Sequence, residues 1–161
     1  MPDKNNFISL INEHKNIIRK VCFLYVKADM EREDMFQEIV LQAWKSFPSF
    51  KGNAKFSTWL YKVALNTTIT FVRKTKRSVV VTTDTLPDTT GLDNVTEEQT
   101  KAMYRAIEDL SKIEKALIML YLDDYSYNDI GDILGIKANN VAVKILRIKE
   151  KLRVRTQYHY Q

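Results

Sequence analysis

Ser126-Tyr-Asn-Asp-Ile-Gly-Asp-Ile-Leu-Gly135, followed by Ile136-Lys-Ala-Asn-Asn-Val-Ala-Val-Lys-Ile-Leu-Arg-Ile-Lys-Glu-Lys-Leu152, has the proportions of a helix-turn-helix. Ser126 and Asp129 fit the looser form of a capping box that opens a short helix, and Gly135 ends it. A last helix from about Asn139 carries Val141, Ile145, Ile148 and Leu152 on one face. Ile130, Leu134 and Ile136 would then pack the corner. That leaves Asn139, Asn140, Val143, Lys144, Arg147 and Lys151 outward, with amides and cations available to base edges and phosphates. An ordinary αα-hairpin with a charged surface fits the same pattern.

Working upstream, Ser111-Lys-Ile-Glu114 fits a capping box ahead of Ala116, Leu117 and Leu120. Ala102, Met103, Ala106, Ile107 and Leu110 form another helical stripe. Residues 78–100 differ: Val79-Val80-Val81 is β-prone, but the polar, turn-rich run that follows reads as a flexible linker, long enough to separate two modules by roughly tens of ångströms. Before it, Phe7, Leu10, Ile11, His14, Ile18, Val21 and Tyr25 predict a helix over 6–28. Asp29 is placed to cap the next helix, whose stripe is Phe36, Val40, Ala43 and Phe47 and which Pro48 stops. Residues 48–56 read as a loop turning at Gly52-Asn53. Ser57 is the expected cap of a third helix packed through Leu60, Val63, Ala64, Phe71 and Val72. Four Gly and three Pro leave few breaks. The fold class is all-α: a helical domain over 1–77, a linker over 78–100, and a helix-turn-helix domain over 101–161.

Charge is distributed to match. From Ile39 to Thr83 there is no Asp or Glu, yet Lys45, Lys51, Lys55, Lys62, Arg73, Lys74, Lys76 and Arg77 fall inside that window. Trp44, Phe47, Phe50, Phe56, Trp59, Tyr61 and Phe71 are set among them. Cations meeting phosphates and rings stacking on bases would suit a nucleic-acid strand; a core of rings under a solvated lysine face is the alternative. The chain is +5 overall, with an acidic middle (Asp84, Asp88, Asp93, Glu97, Glu98) and a basic end. The second helix carries Glu33, Asp34, Gln37 and Glu38 beside Leu41 and Trp44. This is either a docking face for a basic partner with Trp44 as anchor, or a solvated acidic first turn favoured by the helix dipole.

Enzymatic readings find little support. Cys22 is the only cysteine, so no internal disulfide or multi-cysteine zinc site forms. His14 and His159 lack metal-ligand partners at a useful spacing. Lys51-Gly52-Asn53 lacks the repeated glycines of a phosphate loop, and Asp123-Asp124, although able in principle to ligate a metal, reads rather as a surface pair between helices. The N-terminus lacks the apolar run of a signal peptide and no segment is apolar enough to span a bilayer, so a cytoplasmic, non-enzymatic protein is expected.

Asp34-Met-Phe-Gln-Glu-Ile-Val-Leu-Gln-Ala-Trp44 and Phe50-Lys-Gly-Asn-Ala-Lys-Phe-Ser-Thr-Trp-Leu-Tyr-Lys-Val-Ala-Leu-Asn66 strongly resemble region 2 of extracytoplasmic-function sigma factors. Leu110 to Leu152 resembles their region 4. The resemblance implies a bacterial transcription-initiation subunit that directs core RNA polymerase to promoters, needs no cofactor, and can have an anti-sigma factor as a further partner. It implies that Asp34, Gln37, Glu38, Leu41 and Trp44 face the β′ clamp helices. It puts Lys51, Gly52, Asn53, Lys55, Phe56, Ser57, Trp59, Tyr61, Lys62, Asn66, Arg73 and Lys74 at the −10 element. Ser126, Tyr127, Asn139, Asn140, Val143, Lys144, Arg147 and Lys151 go to the −35 element, with region 4 also meeting the β flap. One departure stands out: family members commonly carry a polar or basic residue where Ala142 and Val143 stand, which shifts the expected contacts towards Asn139, Asn140, Lys144 and Arg147. Two other readings fit the residues, a stand-alone helix-turn-helix regulator and an interaction module that mimics a sigma factor.

Overall fold

The computed structural model describes residues 3–75 and 97–158, and its described elements are all helical. The chain divides into two units, Met1–Thr83 and Asp84–Gln161. Among the described residues, no helix is long and apolar enough to cross a membrane. Residues 78–96 of the linker expected over 78–100, with Val79-Val80-Val81, lie outside the described residues, as do Lys76, Arg77 and His159.

The first unit contains α1 (Lys4–Tyr25), α2 (Asp29–Ser46), a single 3-10 turn (Phe47–Ser49) and α3 (Phe56–Thr75). The start of α1 precedes the expected residue 6 because the Asp3 carboxylate accepts from the Asn5 N–H at 3.0 Å. Its end comes before residue 28 because Val26 is already extended, at φ −126°. Asp29 is not a cap: it is the first residue of α2, and Ala28 holds the cap position without a side-chain bond. Arg32 ties this junction instead. Its Nε donates to the Val26 carbonyl at 2.6 Å and its guanidinium lies 4.4 Å over the Phe23 ring. Backbone acceptors around the end of α1 are thereby met by a side chain from α2.

Pro48 sits inside the 3-10 turn, so α2 tightens before it stops. Ser57 also differs from expectation. The Trp59 N–H donates to the Lys55 carbonyl at 3.1 Å, which puts the cap position at Lys55 and Ser57 in the first turn. The core interleaves Ile18 and Val21 of α1, Met35, Ile39 and Ala43 of α2, and Leu60, Tyr61, Ala64 and Leu65 of α3. Phe71, expected among them, is 41% exposed. Cys22 is buried, and that burial pushes its thiol up to about 12.

The second unit contains α4 (Glu97–Glu108), α5 (Lys112–Leu122), α6 (Tyr127–Leu134) and α7 (Ala138–Tyr158). Residues 97–100, expected in the linker, begin α4. The Ser111 capping box is complete: Ser111 Oγ accepts from the Glu114 N–H at 3.2 Å, and the Glu114 carboxylate accepts from the Ser111 N–H at 3.1 Å. Five consecutive buried residues, Ala116 to Leu120, make α5 the central helix, since only a helix covered all round buries such a run. It ends with Asp124 in the left-handed region at φ 64°, a conformation Asp tolerates better than most side chains.

The turn after α6 is set by two glycines with different tasks. Gly135 has φ 71°, so it ends the helix in a conformation that suits glycine. Gly131 has no such dihedral. A Cβ there would instead press into the Ile136 carbonyl oxygen, far inside contact distance. The Ile136 N–H donates to the Gly131 carbonyl at 3.0 Å, closing the corner. Val141, Ile145, Ile148 and Leu152 of α7 are buried as expected, and Arg155 reaches the Ala106 carbonyl of α4 at 3.2 Å.

Candidate nucleic-acid and polymerase interfaces

On α2, Asp34, Gln37, Glu38, Leu41 and Trp44 fall within an arc of about 120° at 3.6 residues per turn, facing away from Met35, Ile39 and Ala43. Asp34, Gln37 and Leu41 are exposed, Leu41 at 44%, and Glu38 and Trp44 are half-buried. Beside this arc runs an apolar groove of about 420 Å³ lined by Phe7, Ile8, Phe36, Val40, Leu41 and Trp44, with Lys4 and Gln37 at its edge. Trp44 is seated by the Phe7 ring at 5.1 Å. An acidic helix edge alongside an apolar trough suits an amphipathic helix with basic flanks. Phe36 and Val40, expected on the packing stripe of α2, are half-buried and line the groove instead. Ile8 was not singled out in the sequence but carries a signal, as an apolar residue off the buried stripe of α1, 45% exposed.

The rings of the acid-free window divide. Tyr61 is fully buried and Phe56 nearly so, which corrects their expected place at a DNA surface: both are core. Phe47, Phe50, Phe56 and Trp59 form one cluster, with Trp59 centroids at 6.2, 5.3 and 5.4 Å from the other three. Phe50 and Phe56 thereby pin both ends of the loop that carries Lys51, Gly52, Asn53 and Lys55, all four exposed. Gly52, at φ 75°, makes the turn. His14 is part of this support, with Nδ1 at 2.9 Å from the Leu10 carbonyl and its ring 5.2 Å from Phe56.

Trp59, Lys62, Asn66 and Arg73 share one face of α3, within about 60° by helical geometry, and Lys74 stands beside it. Lys62, Asn66, Arg73 and Lys74 are exposed; Ser57 and Trp59 are half-buried. So ten of the twelve residues expected at the −10 element are at least partly open to solvent, and the cations among them form a ridge running from the loop along α3. Thr68, on the inner side of the same helix, has a buried hydroxyl with no hydrogen-bond partner among the described residues.

On the second unit, Asn139, Asn140, Val143, Lys144 and Arg147 are exposed on α7, opposite its buried stripe. Lys151 is engaged otherwise than expected: its ammonium lies 2.7 Å from Glu114, bracing α7 against the start of α5. That bond and the Ser111 cap hold the Glu114 carboxyl below its usual range, the Lys151 hydrogen bond being the largest cause. Ser126 Oγ accepts from the Asp129 N–H at 3.1 Å, so it caps α6. Ser126 and Tyr127 also line an open hollow of about 470 Å³ with Tyr121 and Tyr125 at the turn between α5 and α6. No cluster of acids, histidines or cysteines able to hold a metal occurs among the described residues.

Comparison with known proteins follows the same division. The sigma-70 region 2 family matches residues 10–78 and the sigma-70 region 4 family matches residues 100–152. The chain is 30% identical to the ECF RNA polymerase sigma factor SigW of Bacillus subtilis (strain 168), over 94% of its own length and 89% of that protein. It is 26% identical to the ECF RNA polymerase sigma-E factor of Escherichia coli (strain K12), over 93% and 86% respectively. In fold it is similar to the sigma factor RpoE solved in complex with the anti-sigma factor NepR from Bartonella quintana, with a TM-score of 0.76 and 19% identity across 94% of this chain and 97% of that one. CnrH in complex with the cytosolic domain of CnrY gives a TM-score of 0.67 at 15% identity, across 94% and 88%.

Proposed function

Because the chain belongs to the ECF sigma factors of RNA polymerase, we propose a division of labour in transcription initiation: α2 docks the polymerase, the loop 50–57 and α3 hold the −10 element, and α7 reads the −35 element. The observation that carries this reading is that the two family matches fall in order, one on each folded unit.

The energetics explain why both kinds of DNA surface are needed. Opening a duplex forfeits stacking of about 1.4 kcal/mol per base-pair step. A subunit with no energy source favours the open form only by binding the unpaired strand more tightly than the duplex. Lys51, Lys55, Lys62 and Arg73 supply cations along one ridge, and the exposed Asn53 and Asn66 supply hydrogen-bonding groups beside them. The buried rings act at one remove: they fix the loop, so the phosphate-binding groups are held in position before DNA arrives.

On the α2 side, Asp34 and Glu38 offer charge to a basic partner and the groove at Leu41 and Trp44 offers apolar area. We assign this surface to the β′ clamp helices, and a surface of the second unit to the β flap. An anti-sigma factor is a third partner class, inferred from RpoE, which was solved with NepR. The role is regulatory and carries no chemistry of its own, and it is exercised in the cytoplasm, where the polymerase works. Co-purification tests the docking assignment: Asp34→Lys with Trp44→Ala should retain far less core polymerase than wild type. Undiminished recovery would refute it.

A further inference from the structure

The outward face of α7 is not uniformly polar. Val143 is 47% exposed and Leu146 66% exposed, although both sit on the helix that would enter the major groove. At about 100° per residue, Val143 lies directly opposite the centre of the buried stripe Val141–Ile145–Ile148–Leu152, and Leu146 lies one turn further on the same outer face. Asn139 stands one turn before Val143 on that face, and Arg147 and Lys144 lie together along one side of the pair. Single exposed apolar residues need no explanation. Two on adjacent turns, at the pole of a helix and bordered by cations, form a small apolar tip in a phosphate-seeking surround.

We propose that Val143 and Leu146 read thymine: their methyl groups pack on thymine C5 methyls in the major groove and set the base preference of the upstream promoter element. This rests on the assignment of α7 to that element. The chemistry is specific, because thymine alone of the four bases presents a methyl group in the major groove. Lys144 and Arg147 hold the flanking phosphates, which fixes register but carries no sequence information. One turn beyond, Glu150 shares the outer face and is paired to Arg153 at 2.6 Å. That ion pair bounds the apolar tip on its C-terminal side.

Uracil substitution tests the proposal without altering the protein. The full chain with core polymerase is used to transcribe a promoter library, and the upstream element of the active promoters is remade with uracil replacing each thymine, on either strand, one at a time. Losing one buried methyl should weaken holoenzyme binding roughly fourfold at one or two positions. With Val143→Ala and Leu146→Ala together, thymine and uracil should bind alike at those positions. Equal binding of uracil at every position, or a penalty that persists undiminished in the double variant, would overturn the inference while leaving the sigma-factor function intact. So would active promoters with no thymine on either strand of that element. Silence from the whole library would overturn the α7 assignment and this inference with it.

Discussion

Gly131→Ala is the substitution that most sharply separates packing from backbone conformation in the helix-turn-helix. The added Cβ meets the Ile136 carbonyl oxygen, a backbone atom that cannot swing aside as a flexible side chain would. Relief requires opening the corner, which stretches the hydrogen bond from the Ile136 N–H to the Gly131 carbonyl, now 3.0 Å. Overpacking costs about 1–3 kcal/mol and the weakened bond about 1 kcal/mol, while replacing a helical glycine by alanine returns about 1 kcal/mol of propensity. The net loss is therefore about 2 kcal/mol. A unit of this size has on the order of 3–9 kcal/mol in total, so the loss is a large fraction of its stability. Gly135→Asn is the matched control: the site has open space, and asparagine tolerates its left-handed backbone, so the loss should stay below about 1 kcal/mol. Amide hydrogen exchange on the full chain resolves the two units, with α1–α3 as the internal reference. Protection of α6 and α7 should fall roughly thirtyfold in Gly131→Ala and less than about fivefold in Gly135→Asn. Protection as high in Gly131→Ala as in wild type, or higher than in Gly135→Asn, would refute the packing account.

Further expectations concern the first unit and the brace between α5 and α7. Thr68→Val removes a buried, unpartnered hydroxyl without changing shape much, so denaturant titration should show a gain of about 1 kcal/mol; a loss would mean the hydroxyl is bonded. Cys22, buried and with its thiol pushed up to about 12, should resist a thiol reagent at pH 8 in the folded chain and react at once in denaturant. Equal rates in both states would contradict the packing of α1. Glu114 titrates lower when folded than unfolded, so the stability it contributes is full above the ordinary glutamate value of about 4.3 and is lost as pH falls through the lower folded value. The stability difference between wild type and Glu114→Gln should therefore shrink as pH is lowered through that window, and a difference that is flat with pH would remove the brace.

Much of the second unit was legible because its signals are local. The Ser111 box, the Ser126 cap, the Gly135 stop and the α7 stripe are each set by residues within a turn or two of one another. The first unit was less legible because its decisive contacts span the fold. Trp59 and Tyr61 are two residues apart and equally aromatic, yet helical phase leaves one half-buried in the ring cluster under the loop and buries the other completely. Nothing near Asp29 in sequence shows that Arg32 would serve the end of α1, since that bond depends on the angle between two helices. Phe71 is expected in the packing stripe of α3, yet it is left exposed, which the spacing of the stripe does not show. Gly131 reads as an ordinary helix residue until the chain has turned back at Ile136. Lys151 likewise looks like a DNA cation until the fold brings Glu114 to it.

On the proposed division of labour, the cationic ridge from the loop at Lys51 along α3 keeps promoter strands apart. Permanganate reactivity of thymines in the −10 element, measured with holoenzyme reconstituted from the full chain and core polymerase, tests it most directly. Thymines should become reactive with wild type, and Lys51→Ala with Asn53→Ala and Lys62→Ala should abolish that reactivity while polymerase binding persists. Equal reactivity with the ridge neutralised would contradict the account.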